Sequence, residues 1–254
     1  GDLSPANDKN HGLELKLASS AARKIVNLVA ADEYRHNFAL NSSGDADIIL
    51  PGAHSDLGGG YLPRSQEKVL LSRPRRSRVA RSQSNERTGA WLGTQDELYG
   101  RSAELQRRGA NAETVCWTVD LPYNRKRDIY PAKHVYCAIS SEREVRGELS
   151  LVYLRIMRDL AAREDVPLDR IDEQDDKTAL PDELLPIAAK LQAYALGDSS
   201  LASLTDEERS LLYSRYIHLS AHWNTSKSKK KNGLSLVFVN RPAQDHIRRV
   251  HPND

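Results

Sequence analysis

No apolar run in the 254 residues approaches the ~20 that a membrane-spanning helix needs, so no helical span is expected. Gly1-Asp2-Leu3-Ser4-Pro5 has neither a charged n-region nor an apolar h-region, and no signal peptide is expected. Cysteine is scarce. Cys116 and Cys137 each sit in a strand-like run and are expected as buried free thiols rather than as a disulfide; a metal site has no support in them. The pentapeptide G-x-S-x-G, which sets the serine of an α/β-hydrolase on a strained turn, does not occur. A P-loop is missing too, because no Lys-Ser/Thr pair follows the glycines Gly58, Gly59 and Gly60. There is no internal repeat.

Hydrophobic residues make up 39% and charged residues 28%, a balance that suits a globular body carrying polar insertions. The length allows one large domain or two small ones and a sizeable core. The net charge of +2 excludes no partner; the clustering of charge says more.

The organising stretch runs from Asp47 to Tyr61. Ile48-Ile49-Leu50 reads as a buried strand stopped by Pro51-Gly52. His54, Asp56 and Gly58 to Gly60 follow at its carboxyl end, where function gathers in α/β folds. His54 is placed to act as a general base, since an imidazole titrates near neutral pH; a structural or surface histidine is the competing reading. Asp56 orients a neighbour or, the favoured reading, caps its own turn. The glycine run is by itself a weak signal for a phosphate cradle.

Around this stretch, His11 to Leu17 alternates as an edge strand and Lys24 to Ala30 reads as a core strand delivering Asp32 and Glu33. From about 62 to 89 the chain turns polar and basic and is expected to be a flexible insertion. Its Arg73, Arg75, Arg76 and Arg78 are candidate contacts for anionic headgroups. No aromatic residue interleaves within Arg73 to Arg87, so single-stranded nucleic acid is not expected. A helix is expected around Gln95 to Arg108, then a strand pair, Thr114 to Leu121 and His134 to Ile139, joined by the basic loop Asn124 to Arg127. Val145, Leu149, Val152, Ile156 and Leu160 mark one apolar helix face. Leu184 to Leu196 is a second helix with Gly197 behind it, and Thr205 to Glu208 a capping box opening a third. His218 and His222 stand at i and i+4, on one face if that helix continues; with Leu219 where a metalloprotease carries Glu, a structural role is favoured. Lys227 to Lys231 reads as a loop, and Leu234 to Asn240 with Ile247 to His251 as a closing hairpin.

Pro51 to Tyr61 resembles a motif of a bacterial family, the α/β-hydrolase domain of type VI secretion lipase effectors. That domain belongs to the G-x-S-x-G class and was first catalogued as a domain of unknown function. Val29 to Arg35, Tyr216 to Asn224 and Asn240-Arg241-Pro242 are similar to further segments of it, and together they span most of the chain outside the basic stretch. The resemblance implies a phospholipase or related lipid esterase using Ser, Asp and His in that chain order, with no cofactor and no metal. His54 matches the family's catalytic histidine. The serine and the triad acid would lie upstream of Gly1, and Asp32 matches a different segment, so it is not the acid. We therefore expect α/β architecture over 1–254: the carboxyl-terminal portion of an α/β-hydrolase-like domain, one mixed sheet with packed helices. The partners implied are a phospholipid or membrane surface, the upstream part of the same enzyme, and an immunity protein or secretion-apparatus component, with no nucleic acid. The localisation implied is synthesis in the bacterial cytoplasm and delivery into a target cell. The rivals are a non-catalytic binding or immunity-type module and a metal-dependent hydrolase built on His54, Asp56, His218 and His222.

Overall fold

The structure is a computed structural model describing Ala18 and residues 20–200, 203–230 and 233–252. The alternating run at His11 to Leu17 lies outside the described residues. The chain divides into two compact units.

The first unit comprises Gly1–Ser65, Glu144–Ala221 and Val239–Asp254. Strands β1 (Asn27–Ala30) and β3 (Asp47–Leu50) pair in parallel, with Asn27 opposite Asp47 and Ala30 opposite Leu50. The Asp47 carboxylate fixes the start of β3 by accepting from Asn27 Nδ2 (2.8 Å), Ser42 Oγ (2.6 Å) and Ser43 N (2.8 Å). The short β2 (Leu40–Asn41) pairs in parallel with β10 (Val250–His251). Helix α1 (His54–Gly58) follows β3. The core is built from Leu50, from Leu149, Val152, Tyr153 and Ile156 on α3 (Leu149–Ala162), and from Ile187 and Leu191 on α4 (Leu185–Ala195). Spacings of three and four place the α3 residues on one stripe, and burying each large aliphatic contributes about 1.5–3 kcal/mol. Helix α5 (Asp206–Leu211) opens on a capping box: Glu208 N donates to Thr205 Oγ1 (3.2 Å) and Thr205 N to Glu208 Oε2 (2.7 Å). A π-type turn, Leu212–Tyr216, ends it, and Ile217 is extended.

The second unit comprises Gln66–Arg143 and His222–Phe238. Its four-stranded sheet contains β4 (Arg64–Leu70), β5 (Arg75–Ala80), β6 (Ala112–Asp120) and β7 (Ala132–Arg146). The long β7 pairs with all three others, antiparallel to β5 and β6. Helix α2 (Gly89–Arg107) is capped by Thr88, whose Oγ1 accepts from Trp91 N (3.3 Å). It packs Ala90 and Trp91 on Val79, Val135, Cys116 and Cys137. Strands β8 (Ser226–Lys230) and β9 (Gly233–Val237) form an antiparallel hairpin.

Several expectations are corrected. Among the described residues the strands form four separate sheets rather than one mixed sheet. Residues 62–89 supply β4 and β5 and are no unstructured insertion; arginine-rich β5 escaped notice because half its side chains face outward. The lysine-rich stretch read as a loop is β8, and the closing hairpin is β8–β9, since β10 pairs with β2. Val145 belongs to β7, so α3 starts at Leu149. Cys116 and Cys137 are not free thiols. They lie directly opposite in the β6–β7 register, with Cα atoms 4.2 Å apart, and form a disulfide. Among the described residues, no helix is long and apolar enough to cross a membrane.

Candidate active site

Because β1 and β3 run in parallel, their carboxyl ends open side by side, and the segments after Ala30 and after Leu50 meet there. Asp32 N donates to Gly52 O (2.9 Å), and the Asp32 carboxylate accepts from Gly52 N (2.8 Å) and Tyr213 Oη (3.1 Å). One oxygen thus holds the turn and the other meets Tyr213. Gly52 has φ +119, and a Cβ there would come within 2.9 Å of Asp56 Cβ, so the turn requires glycine. Tyr153 is buried, donates to Pro51 O, and has its phenol pushed well above its ordinary pKa by that burial.

Two buried carboxylates anchor α1. Glu33 accepts a bidentate pair from Arg35 (Nε 2.9 Å, Nη2 2.6 Å), the Arg35 N–H (3.1 Å), Ser220 Oγ (3.2 Å) and the His54 N–H (3.3 Å). Burial pushes its carboxyl up, yet the hydrogen bonds and charge of Arg35 with the two backbone N–H groups leave it below the usual range. Asp56 accepts from Ala53 N (2.8 Å), which closes the first turn of α1, and from His218 N (3.1 Å) and Nδ1 (2.7 Å). Here burial wins over the His218 hydrogen bond, and the carboxyl is raised. Asp56 therefore does both jobs considered for it, capping its turn and orienting a neighbour.

His54 is the first residue of α1, and its side chain is exposed. Its ring meets the edge of Phe38 (centroids 5.6 Å, 68°) and has no hydrogen-bond partner among the described residues. Arg35 in turn lies 3.4 Å over the Phe38 ring. A backbone pinned by Glu33 and an imidazole facing outward suit a base whose reaction partner comes from elsewhere. His218 is the reverse case. It is 4% exposed, stacked on Tyr61 (3.6 Å, 9°), with Nε2 buried and unpartnered among the described residues. That nitrogen is shut off from solvent in this structure.

The glycines end the helix rather than cradle a phosphate. Gly58 closes α1, Gly59 takes φ +77, and the N–H groups of Gly59 and Gly60 both donate to Ser55 O (3.0 Å each). His218 and His222 share no helix face, because the helical turns stop at Tyr216 and none follows through His222. His222, in the second unit, accepts from Asn224 N at Nδ1 (3.2 Å). Among the described residues no three His, Cys, Asp or Glu side chains converge to hold a metal ion, so the four residues of the metal-hydrolase reading form no such group. Of the four arginines, Arg75 pairs with Glu97 on α2 (3.0 Å) and Arg73 lies toward Trp223 (5.9 Å), while Arg76 and Arg78 are exposed on β5.

Sequence reading brought out His54 and Asp56 together with Asp32 and Glu33. It missed Arg35, Phe38, Tyr61, Tyr153 and Ser220 as supports. Only Arg35, two residues from Glu33, carried a local signal.

The chain matches no family model and no curated protein. Among solved structures it is similar to that of the Tle1 effector bound to the VgrG spike from the type 6 secretion system, with a TM-score of 0.83 and 28% identity. The match covers 96% of this chain and 53% of that one, so the chain spans about half the length of its neighbour. Over nearly its whole length, then, this chain resembles a type VI secretion effector in fold and, at more than one position in four, in sequence.

Proposed function

We propose that these residues are the histidine-bearing, carboxyl-terminal part of a serine-dependent lipid esterase, a phospholipase, that serves as an antibacterial type VI secretion effector. The observation that carries the reading is His54: an exposed imidazole at the carboxyl end of a parallel strand pair, on a helix anchored by buried Glu33 and Asp56. In this role His54 takes the proton of a serine hydroxyl and returns it to the leaving alcohol. No G-x-S-x-G is present among the 254 residues; in this reading the serine lies outside them and, as the family resemblance implies, so does the acid that holds the imidazole tautomer. The similarity to an effector held on a VgrG spike supports a spike protein as the delivery partner. The Cys116–Cys137 disulfide fits a protein that works outside a reducing cytosol.

A second reading takes His218 as the base, because Asp56 holds its Nδ1 at 2.7 Å as a triad acid would. Its burial under Tyr61 speaks against it. The test compares the 254-residue chain with the complete native polypeptide containing it, on a chromogenic short-chain ester and on phosphatidylethanolamine vesicles. The reading expects turnover by the complete polypeptide alone. Turnover by the 254-residue chain that disappears on His54→Ala would overturn it, as would a complete polypeptide without esterase activity.

A further inference from the structure

Helix α2 packs on one face of the four-stranded sheet, and on the other face Arg76, Arg78, Trp117 and Val119 are exposed among the described residues. Residues directly opposite in antiparallel strands share a face, and alternation sorts them. Arg75, Ser77 and Val79 face α2: Arg75 pairs with Glu97, Ser77 Oγ accepts from Ala90 N (2.9 Å), and Val79 packs in that core. Arg76 and Arg78 therefore point the other way. The register places Arg76, Tyr136 and Trp117 in one row across β5, β7 and β6, and Arg78, His134 and Val119 in the next. Both arginines are exposed, Trp117 is 36% and Val119 50% exposed, and no carboxylate of the described residues pairs with either arginine. The β6–β7 connection adds Arg125, Lys126 and Arg127 beside Ile129, which is 96% exposed.

We infer that this face and the β6–β7 connection dock on an anionic lipid surface. The chemistry is complementary at both levels of a bilayer interface. Guanidinium groups bind headgroup phosphates bidentately, Trp and Tyr settle at the polar–apolar boundary, and Val119 and Ile129 gain by entering the acyl region. A single-stranded nucleic acid fits less well. Trp117 and Tyr136 already stack on each other (5.7 Å, 10°), so each has one ring face occupied, and an exposed isoleucine offers nothing to a phosphodiester chain. Docking of this kind does not depend on His54 and goes beyond the hydrolase reading.

The experiment is co-sedimentation with phosphatidylcholine vesicles with and without phosphatidylglycerol, using the His54→Ala protein so that the vesicles stay intact. Binding is expected to need phosphatidylglycerol and to weaken with salt. Arg76→Glu with Arg78→Glu should weaken it at least about tenfold. Arg170→Glu with Lys177→Glu, the same charge change at exposed positions of the first unit, should leave it within about twofold of the unsubstituted protein. Ile129→Asp, at a side chain too exposed to affect folding, should weaken binding without moving the melting temperature. Equal losses for the two charge-reversed pairs would overturn the inference, as would equal binding to vesicles lacking phosphatidylglycerol. Retention of a short uridine oligonucleotide that is lost with Arg76→Glu and Arg78→Glu, in place of vesicle binding, would assign the face to nucleic acid instead.

Discussion

Glu33 and Asp56 are buried carboxylates on either side of His54, and their environments push them in opposite directions. Glu33 has its folded pKa lowered by Arg35 and backbone donors, so its contribution to stability is present above the ordinary glutamate value (about 4.3) and is lost as the pH falls through the folded value. Asp56 is raised by burial, so its contribution runs the other way, fully present at low pH and lost as the pH rises through its raised value. Removing Glu33 leaves the Arg35 guanidinium, 12% exposed, without its counter-charge. Glu33→Ala should therefore cost about 3–5 kcal/mol at pH 7, and the gap to the parent in urea melts should shrink as the pH drops below about 4.3. A gap that stays constant to pH 3 would mean that packing rather than charge holds this residue. His54 and Asp56 were legible because one short motif carries both. The Asp56–His218 pair was not, since 162 residues separate the partners and no local pattern announces them.

At the level of elements, α1 is set by its neighbours more than by propensity, since five residues are too few to hold a helix alone. Gly52→Ala should destabilise by more than about 1 kcal/mol, because the backbone sits at φ +119 and Asp56 blocks the Cβ. Gly58→Ala meets nothing within 4 Å and should be neutral or stabilise by about 0.5–1 kcal/mol. Chemical denaturation of the two variants separates a required turn from a merely glycine-rich one. In β6 and β7, the disulfide closes a loop with a sequence separation of 21. Reduction should lower unfolding stability by about 3 kcal/mol, read as a shifted denaturation midpoint with and without reductant; no shift would mean that the strand pair alone holds this connection. Strands β1 and β3 and the α5 cap were readable because apolar runs and a capping box are local signals. Strand β5 was not, because Arg76 and Arg78 on its open face masked the period of two carried by Ser77 and Val79. The pairing of the cysteines depends on register, which composition does not give.

At the scale of the whole molecule, the chain forms two compact units and is similar to a secretion effector at a TM-score of 0.83, over 96% of its own length and 53% of that chain's. The α/β class was legible from alternating strand and helix runs. The division into separate sheets was not, because pairing between distant strands leaves no mark on composition. The most direct measurement is turnover of phospholipid vesicles by the complete native polypeptide, compared with its His54→Ala and His218→Ala variants. With His54 as the base of a serine triad, His54→Ala should lower turnover by ~10⁴ to 10⁶, with melting temperature and vesicle binding unchanged. His218→Ala should lose activity only in proportion to lost folded protein, because it empties a buried stack under Tyr61. A His54→Ala protein that keeps more than about a tenth of the parent's turnover, far inside that range, would contradict the assignment and leave Asp56–His218 as the catalytic pair.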